Sequence, residues 1–171
     1  MNTLFQSERL LFREFAPDDA ELIYELNKDP DVTKYVHEPP TTPEMAVEVL
    51  NNIIIPQYKA NNYGRWAVHL KDNKEFIGWG GLKKTPSHEF PDLGYRFFKH
   101  LWGYGYATEA AMRTIEYGFE TLHLEGVFAA AHVDNIGSIK VLEKCGMVFN
   151  GLETIDGAPT RTYVLRSPET N

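Results

Sequence analysis

Apolar positions along the first sixty residues change their period twice. In RLLFREF, residues 9–15, Leu10, Phe12 and Glu14 alternate with Leu11, Arg13 and Phe15. That two-residue period predicts a strand with apolar character on both faces. In PDDAELIYELNKDP the period lengthens: Leu22, Ile23 and Leu26 share one helical face. Pro17 suits the first turn, Asp18 and Asp19 favour the positive end of the helix dipole, and Pro30 closes the segment. A second helix starts at Thr42 as N-cap with Pro43 behind it. Met45, Val49 and Ile53, with Leu50 and Ile54, form its stripe, and Pro56 is expected to end or kink it.

Strand periodicity returns in RWAVHLKDNKEFIGWGGLKK, two arms about the turn residues Asp72 and Asn73. Gly78, Gly80 and Gly81 in the second arm predict a bulge or the close approach of another backbone. DLGYRFF, residues 92–98, is a further strand. A helix from about Tyr106 to Thr121 places Ala107, Ala111, Ile115 and Phe119 at i, i+4 spacing. GVFAAAHV, residues 126–133, is a continuous apolar run of the kind buried on both faces. A short helix comes next, with Asn135 as N-cap and Gly146 just past its end. The tail predicts a hairpin about Asp156 and Gly157.

Helices and strands therefore mix without regular βαβ alternation, which predicts an α+β, mixed α/β three-layer sandwich over residues 1–171 as a single domain. At 171 residues, 43% hydrophobic and 24% charged, the chain is of ordinary globular composition. No run reaches the roughly 20 apolar residues that span a bilayer, and the charged start MNTLFQSERLLFREF is unlike a signal peptide. A cytoplasmic protein with no membrane partner is the expectation. The net charge of −7 argues against a nucleic-acid partner. One cysteine, Cys145, excludes an internal disulfide and reads as a small buried hydrophobe. The histidines His37, His69, His88, His100, His123 and His132 show no HxxxH or HExxH spacing, so no metal is expected. A homodimer is the default oligomer.

Chemistry enters at HLWGYGYATEAAMR, residues 100–113. Gly103 and Gly105 can take positive φ and let a ligand approach the backbone. The first amides of the helix behind them lack partners and carry the positive end of its dipole, so the segment reads as an anion seat, most often for phosphate. It is neither a P-loop, because it has no Lys-Ser/Thr, nor a complete dinucleotide fingerprint, because Thr108 stands where the third glycine belongs.

LGYRFFKHLWGYGYATEAAMRTIEYGFETL followed by VDNIGSIKVLEKCGMVFNG strongly resembles the GNAT N-acetyltransferases, specifically their RimJ/RimL-like branch. The opening SERLLFREFAPDDAELIYELNKDPDVTKYV and the segment WAVHLKDNKEFIGWGGL are similar to that branch as well, so nearly the whole chain is covered. The resemblance implies a GNAT-type sandwich whose central mixed, largely antiparallel sheet is splayed at the acetyl-CoA site. It implies that the loop of Gly103, Tyr104, Gly105, Tyr106, Ala107 and Thr108 gives its amides to the diphosphate of acetyl-CoA. The family pattern has Gln or Arg where this chain has His100. Backbone near Tyr95, Arg96 and Phe97 would bond the pantetheine amides, and Asn135 matches the asparagine that contacts pantetheine, although a plain N-cap has the same geometry.

The implied reaction is N-acetylation of a primary amine, either a protein N-terminal α-amine or a small molecule, by direct attack in a ternary complex. An amine of pKa about 8 and a thiol of about 8.5 make both proton tasks modest, and a base or acid should contribute roughly 10²- to 10⁴-fold. Many relatives carry a tyrosine acid where this chain has Leu142. Ser138 matches the serine of NxxS that can donate to the sulfur, and it can equally be a small packed residue. Asp92 is the candidate base, Glu89 a weaker one, and each can equally be a solvated carboxylate. Tyr35, His37, Trp66 and Trp79 are candidates for the acceptor pocket, though aromatic residues in strands more often belong to the core. The rival expectations are a non-catalytic acyl-CoA-binding module and a nucleotide-dependent kinase.

Overall fold

The computed structural model describes residues 1–36 and 41–170. Its strands are β1 (Phe5–Gln6), β2 (Leu10–Arg13), β3 (Arg65–Leu70), β4 (Phe76–Lys83), β5 (Asp92–Phe97), β6 (Gly126–His132), β7 (Val148–Ile155) and β8 (Ala158–Arg166). They form one sheet in the order β1-β2-β3-β4-β5-β6-β8-β7. All neighbours are antiparallel except β5 and β6, which run parallel. The helices are α1 (Ala20–Asn27), α2 (Pro43–Val49), α3 (Ile55–Asn61), α4 (Tyr106–Glu120) and α5 (Ile136–Lys144).

Two apolar layers divide the sheet's faces. Phe15, Ile23, Ala46, Leu50, Ile54 and Ala67 pack together under α1 and α2. Phe12, Trp66, Val68, Leu93 and Phe97 meet Ala110, Ala111 and Ile115 of α4 and Ile139 and Leu142 of α5 on the other side. Small residues let α4 lie close to the sheet: a Cβ at Gly80 would stand 3.7 Å from that of Ala110. This is the expected three-layer, mixed α/β arrangement.

One local expectation needs correction, and another resolves between its two outcomes. The first strand is shorter than residues 9–15, since only Leu10–Arg13 pair with β3. It also has a small antiparallel partner, β1, which is too short to carry a periodic signal. Of the two outcomes open at Pro56, an end or a kink, the helix does not end there. It passes through a widened π turn at Leu50–Ile54, where Ile55 N–H bonds to Leu50 O, and continues as α3 to Asn61. Pro56 cannot donate to the preceding turn and its ring crowds that turn's carbonyl. The wider turn relieves the crowding, and Pro56 sits in the first turn of α3. A tertiary tie favours the continuation: the Tyr58 hydroxyl donates to Arg65 O and accepts from Phe15 N–H, fastening α3 to two neighbouring segments of the sheet layer.

The glycines of β4 do mark close backbone approach. A Cβ on Gly81 would stand 2.1 Å from Gly64 O, the same carbonyl that accepts from Leu82 N–H at 3.0 Å. The tail is the expected hairpin, with Asp156 (φ 50) and Gly157 (φ 77) both left-handed, as a two-residue type I′ turn requires. β8 then inserts between β6 and β7.

A polar knot fastens β2 to β3 and to the turn before α1. Arg13 holds Asp19 through both Nη atoms, at 2.6 and 3.1 Å, and its Nε donates to His69 Nε2 at 3.1 Å. Because arginine only donates, His69 Nε2 accepts, so the ring is neutral and its Nδ1–H donates to Lys74 O at 2.8 Å. Burial, with the Arg13 charge adding to it, pushes the His69 imidazole below its ordinary 6.5.

Gly81→Ala should therefore cost about 2–3 kcal/mol, the upper end for overpacking, visible as a lower urea midpoint with an unchanged slope. For His69 the depressed folded value means that, as pH falls below about 6.5, the unfolded chain takes up a proton the folded chain refuses. Stability is complete above that pH and declines below it. Melting followed from pH 7.5 to 5.5 should show this decline, and His69→Gln should flatten it.

Candidate active site

β5 leads through a short 3₁₀ turn, Lys99–Leu101, to the glycine loop and α4. Gly103 (φ 85) and Gly105 (φ 82) are both left-handed, the conformation that favours glycine, and nothing lies within 4 Å of a Cβ placed on Gly103. Gly105 is the N-cap of α4 and supplies no side-chain cap. The first intrahelical bond runs from Glu109 N–H to Gly105 O, so the amides of Tyr106, Ala107 and Thr108 point out of the helix without an intrahelical acceptor. Trp102 and Tyr104 flank the loop at 50% and 62% exposure. The Trp102 indole N–H caps Phe97 O at 3.0 Å, fixing the strand's exit toward the loop. The segment thus presents three amides without intrahelical partners, an arrangement that can seat an anion.

Beside it the sheet opens. β5 and β6 share a single register pair, Asp92 with Phe128, plus the bond from Phe128 N–H to Pro91 O at 2.9 Å. Beyond that point the strands part, and among the described residues no ladder joins Leu93–Phe97 to Ala129–His132. The resulting gap has edge backbone to offer an extended ligand, as in strand addition.

Side chains on the two faces of β5 differ in kind. On the α5 side, the Tyr95 hydroxyl lies 2.8 Å from Ser138 Oγ and 3.3 Å from Ser138 O. Burial raises the Tyr95 phenol above its ordinary value, so it stays protonated. Ser138 N–H donates to Asn135 Oδ1 at 3.2 Å, so Asn135 does serve as an N-cap. On the α1 side, Arg65 Nη2 holds Asp92 Oδ2 at 2.8 Å, and its Nη1 bonds Asp92 O and Gly81 O. Arg96 donates to Asn27 Oδ1 at 2.7 Å. The Trp79 ring is flanked by both guanidiniums, at 4.9 Å from Arg65 and 5.3 Å from Arg96.

The other expected residues sort clearly. Tyr35 reaches the open end of the gap, its hydroxyl donating to Asp134 O at 3.2 Å and its ring 5.2 Å from that of His132. Trp79 is half-buried on the α1 side. Trp66 does not line a pocket: it is fully buried against Phe5 and Tyr117 in the core, because its strand position points to the α4 face. His37 lies outside the described residues. His100 is exposed on the turn before the loop, with its ring 5.7 Å from that of Phe98. Glu89 is exposed, 3.9 Å from Arg166. Leu142 is buried in the core. Cys145 is half-buried near Thr108 O, and burial pushes its thiol up to about 11, which suppresses the nucleophilic thiolate. Among the described residues no cluster of histidine, cysteine or carboxylate side chains could hold a metal ion, and no helix is long and apolar enough to cross a membrane.

Sequence reasoning missed Arg9. It lies one residue before β2, yet its guanidinium Nη1 donates to Tyr104 O at 3.0 Å and its plane lies 4.4 Å from the Tyr106 ring centroid. No local pattern joins positions so far apart in the chain.

A known acyltransferase pattern agrees with this geometry. The Acetyltransferase (GNAT) domain family matches residues 9–148. The uncharacterized N-acetyltransferase YnaD of Bacillus subtilis is 33% identical over 141 residues, covering 82% of this chain and 80% of its own. The crystal structure of a GNAT-family acetyltransferase from Bacillus anthracis superposes with a TM-score of 0.81 at 28% identity, covering 94% of this chain and 96% of that one. The spermidine N-acetyltransferase of Vibrio cholerae, solved with CoA and spermine, shares the fold with a TM-score of 0.80 at 21% identity, covering 96% of this chain and 99% of that one. The chain belongs to the GNAT acetyltransferase family, and it is an acetyl-CoA-dependent N-acetyltransferase.

Replacing Gly105 by Val forces a β-branched residue into left-handed backbone, at about 1–2 kcal/mol. CoA affinity measured by calorimetry should fall about tenfold while the melting temperature shifts by only a few degrees.

Proposed function

We propose that the protein acetylates a primary amine, a protein N-terminal α-amine as in the RimJ/RimL-like branch or a small-molecule amine, by direct attack in a ternary complex. The observation that carries this reading is the set of outward amides at Tyr106, Ala107 and Thr108, behind two left-handed glycines and beside the parted strands. In this reading those amides and the loop hold the CoA diphosphate, and Asn135 with the open edge at Tyr95 and the Phe97 N–H holds the pantetheine arm. Backbone at Arg96 belongs to the same strand, while its side chain turns to the α1 side and donates to Asn27 Oδ1.

The faces of β5 then divide the proton work. Asp92 stands on the α1 side with its carboxylate oriented by Arg65. It accepts the proton the amine loses as its nitrogen bonds the acyl carbon, directly or through water. The C–S bond breaks, its electron pair leaves with sulfur, and Ser138 donates a hydrogen bond to that thiolate from the α5 side. Tyr95 holds Ser138 in place. Cys145, with its raised thiol, stays outside the sequence of steps, consistent with transfer that needs no acetyl-enzyme.

Incubation with acetyl-CoA and a panel of amines should release free thiol only in the presence of an acceptor. Binding of acetyl-CoA without thiol release on any amine would favour a non-catalytic acyl-CoA-binding module instead. Mass spectrometry of a lysate treated with the enzyme and labelled acetyl-CoA identifies the acceptor, and Ser138→Ala should lower kcat about 10²-fold while leaving the KM for acetyl-CoA within a few-fold.

A further inference from the structure

The anion seat contains a carboxylate. Glu109 stands in the first turn of α4, one residue past the three outward amides. Burial by itself would raise its pKa, but the Arg9 backbone N–H, the Ser7 hydroxyl and the Arg9 side chain outweigh burial and hold Glu109 below the usual carboxylate range. It is therefore ionised, and its charge opposes any phosphate bound at the amides beside it. Both Glu109 oxygens are taken: Oε1 accepts from Ser7 Oγ and Arg9 N–H, each at 2.7 Å, and Oε2 accepts from Arg9 Nε at 2.6 Å. Arg9 Nη1 is on Tyr104 O. That leaves Nη2, which lies 3.5 Å from the place a Cβ on Gly105 would occupy, on the bare side of the left-handed glycine. The Tyr106 ring under the guanidinium fixes its plane. His100 is exposed on the preceding turn.

We infer that Arg9, brought from the N-terminal edge of β2, is the cationic side-chain ligand for the diphosphate at the α4 loop. It does two things there: it offsets the Glu109 charge that would repel the ligand, and it presents Nη2 to an oxygen that the loop amides also bind. This rests on the reading of the loop as the CoA seat. A planar guanidinium anchored at Nε and Nη1 reaches the seat with little freedom left to lose on binding.

Calorimetric titration with CoA, dephospho-CoA and pantetheine tests both levels, and needs no knowledge of the acceptor. If the wild-type protein binds no CoA, the seat itself is wrong. If it binds, Arg9→Gln should weaken CoA and dephospho-CoA equally, by at least tenfold, and leave pantetheine unchanged. Arg9→Lys keeps the charge but cannot hold Glu109 and Tyr104 O while presenting a further donor, so it should recover only part of the loss. A direct contact is separated from mere neutralisation of Glu109 by a pair of variants. Arg9→Gln combined with Glu109→Gln leaves no unpaired charge to disturb folding, and should still bind CoA about tenfold more weakly than Glu109→Gln alone. Four results would each overturn the assignment: equal affinity of that pair, Arg9→Gln within twofold of wild type, a loss absent with dephospho-CoA, which places Arg9 on the 3′-phosphate, or Arg9→Lys equal to wild type, which leaves the anchored guanidinium no role.

Discussion

Two neighbouring parallel strands that pair at one position and then separate set the terms for everything else in this molecule. Asp92 opposite Phe128 is the hinge of the gap between β5 and β6. A sheet normally satisfies its backbone by lateral pairing, and central edges left open carry a cost unless water or a ligand takes up their groups. β5 is otherwise firmly held, since six of its residues pair with β4, and β6 is held along its length by β8. The opening is thus built between two rigid walls rather than in a loose region. Rigid edges give an extended ligand a preformed partner at little ordering cost.

The same separation assigns chemistry to sides. Alternation along β5 turns Asp92 and Arg96 toward α1 and Tyr95 toward α5, so carboxylate and hydroxyl groups approach the gap from opposite faces. The pairing of Arg65 with Asp92 and the bond of Tyr95 to Ser138 are each made between elements far apart in the chain. Each contact is therefore made by the fold, not by local sequence.

At the mouth of the gap the backbone dominates. The net charge of −7 gives no general attraction for a polyanion, so affinity must come from oriented amides and from whatever cation the fold brings near them. Glycine makes the amides accessible, and the tie from Arg9 to Tyr104 O holds the loop in the shape that exposes them. The α4 loop thus depends on a contact from the N-terminal edge of the sheet, far from it in the chain.

Much of this was written in local pattern. The α4 stripe, the Asp156–Gly157 turn, the Asn135 cap and the left-handed glycines follow from periodicity and from the few residues that tolerate positive φ, because those properties depend on neighbours within about four positions. The close-packed glycines of β4 were legible as a warning of backbone approach, but not as the approach of Gly64. Tertiary structure alone decided that the helix survives Pro56, since a π turn and the Tyr58 bonds compensate the missing donor. It alone decided that Trp66 belongs to the core and Trp79 to the α1 side, that β8 lies between β6 and β7, and that Arg9 reaches the α4 loop. Contacts between residues some hundred positions apart leave no periodic trace, for they depend on how packed layers bring distant segments to one place, and one sequence records the residues without that proximity.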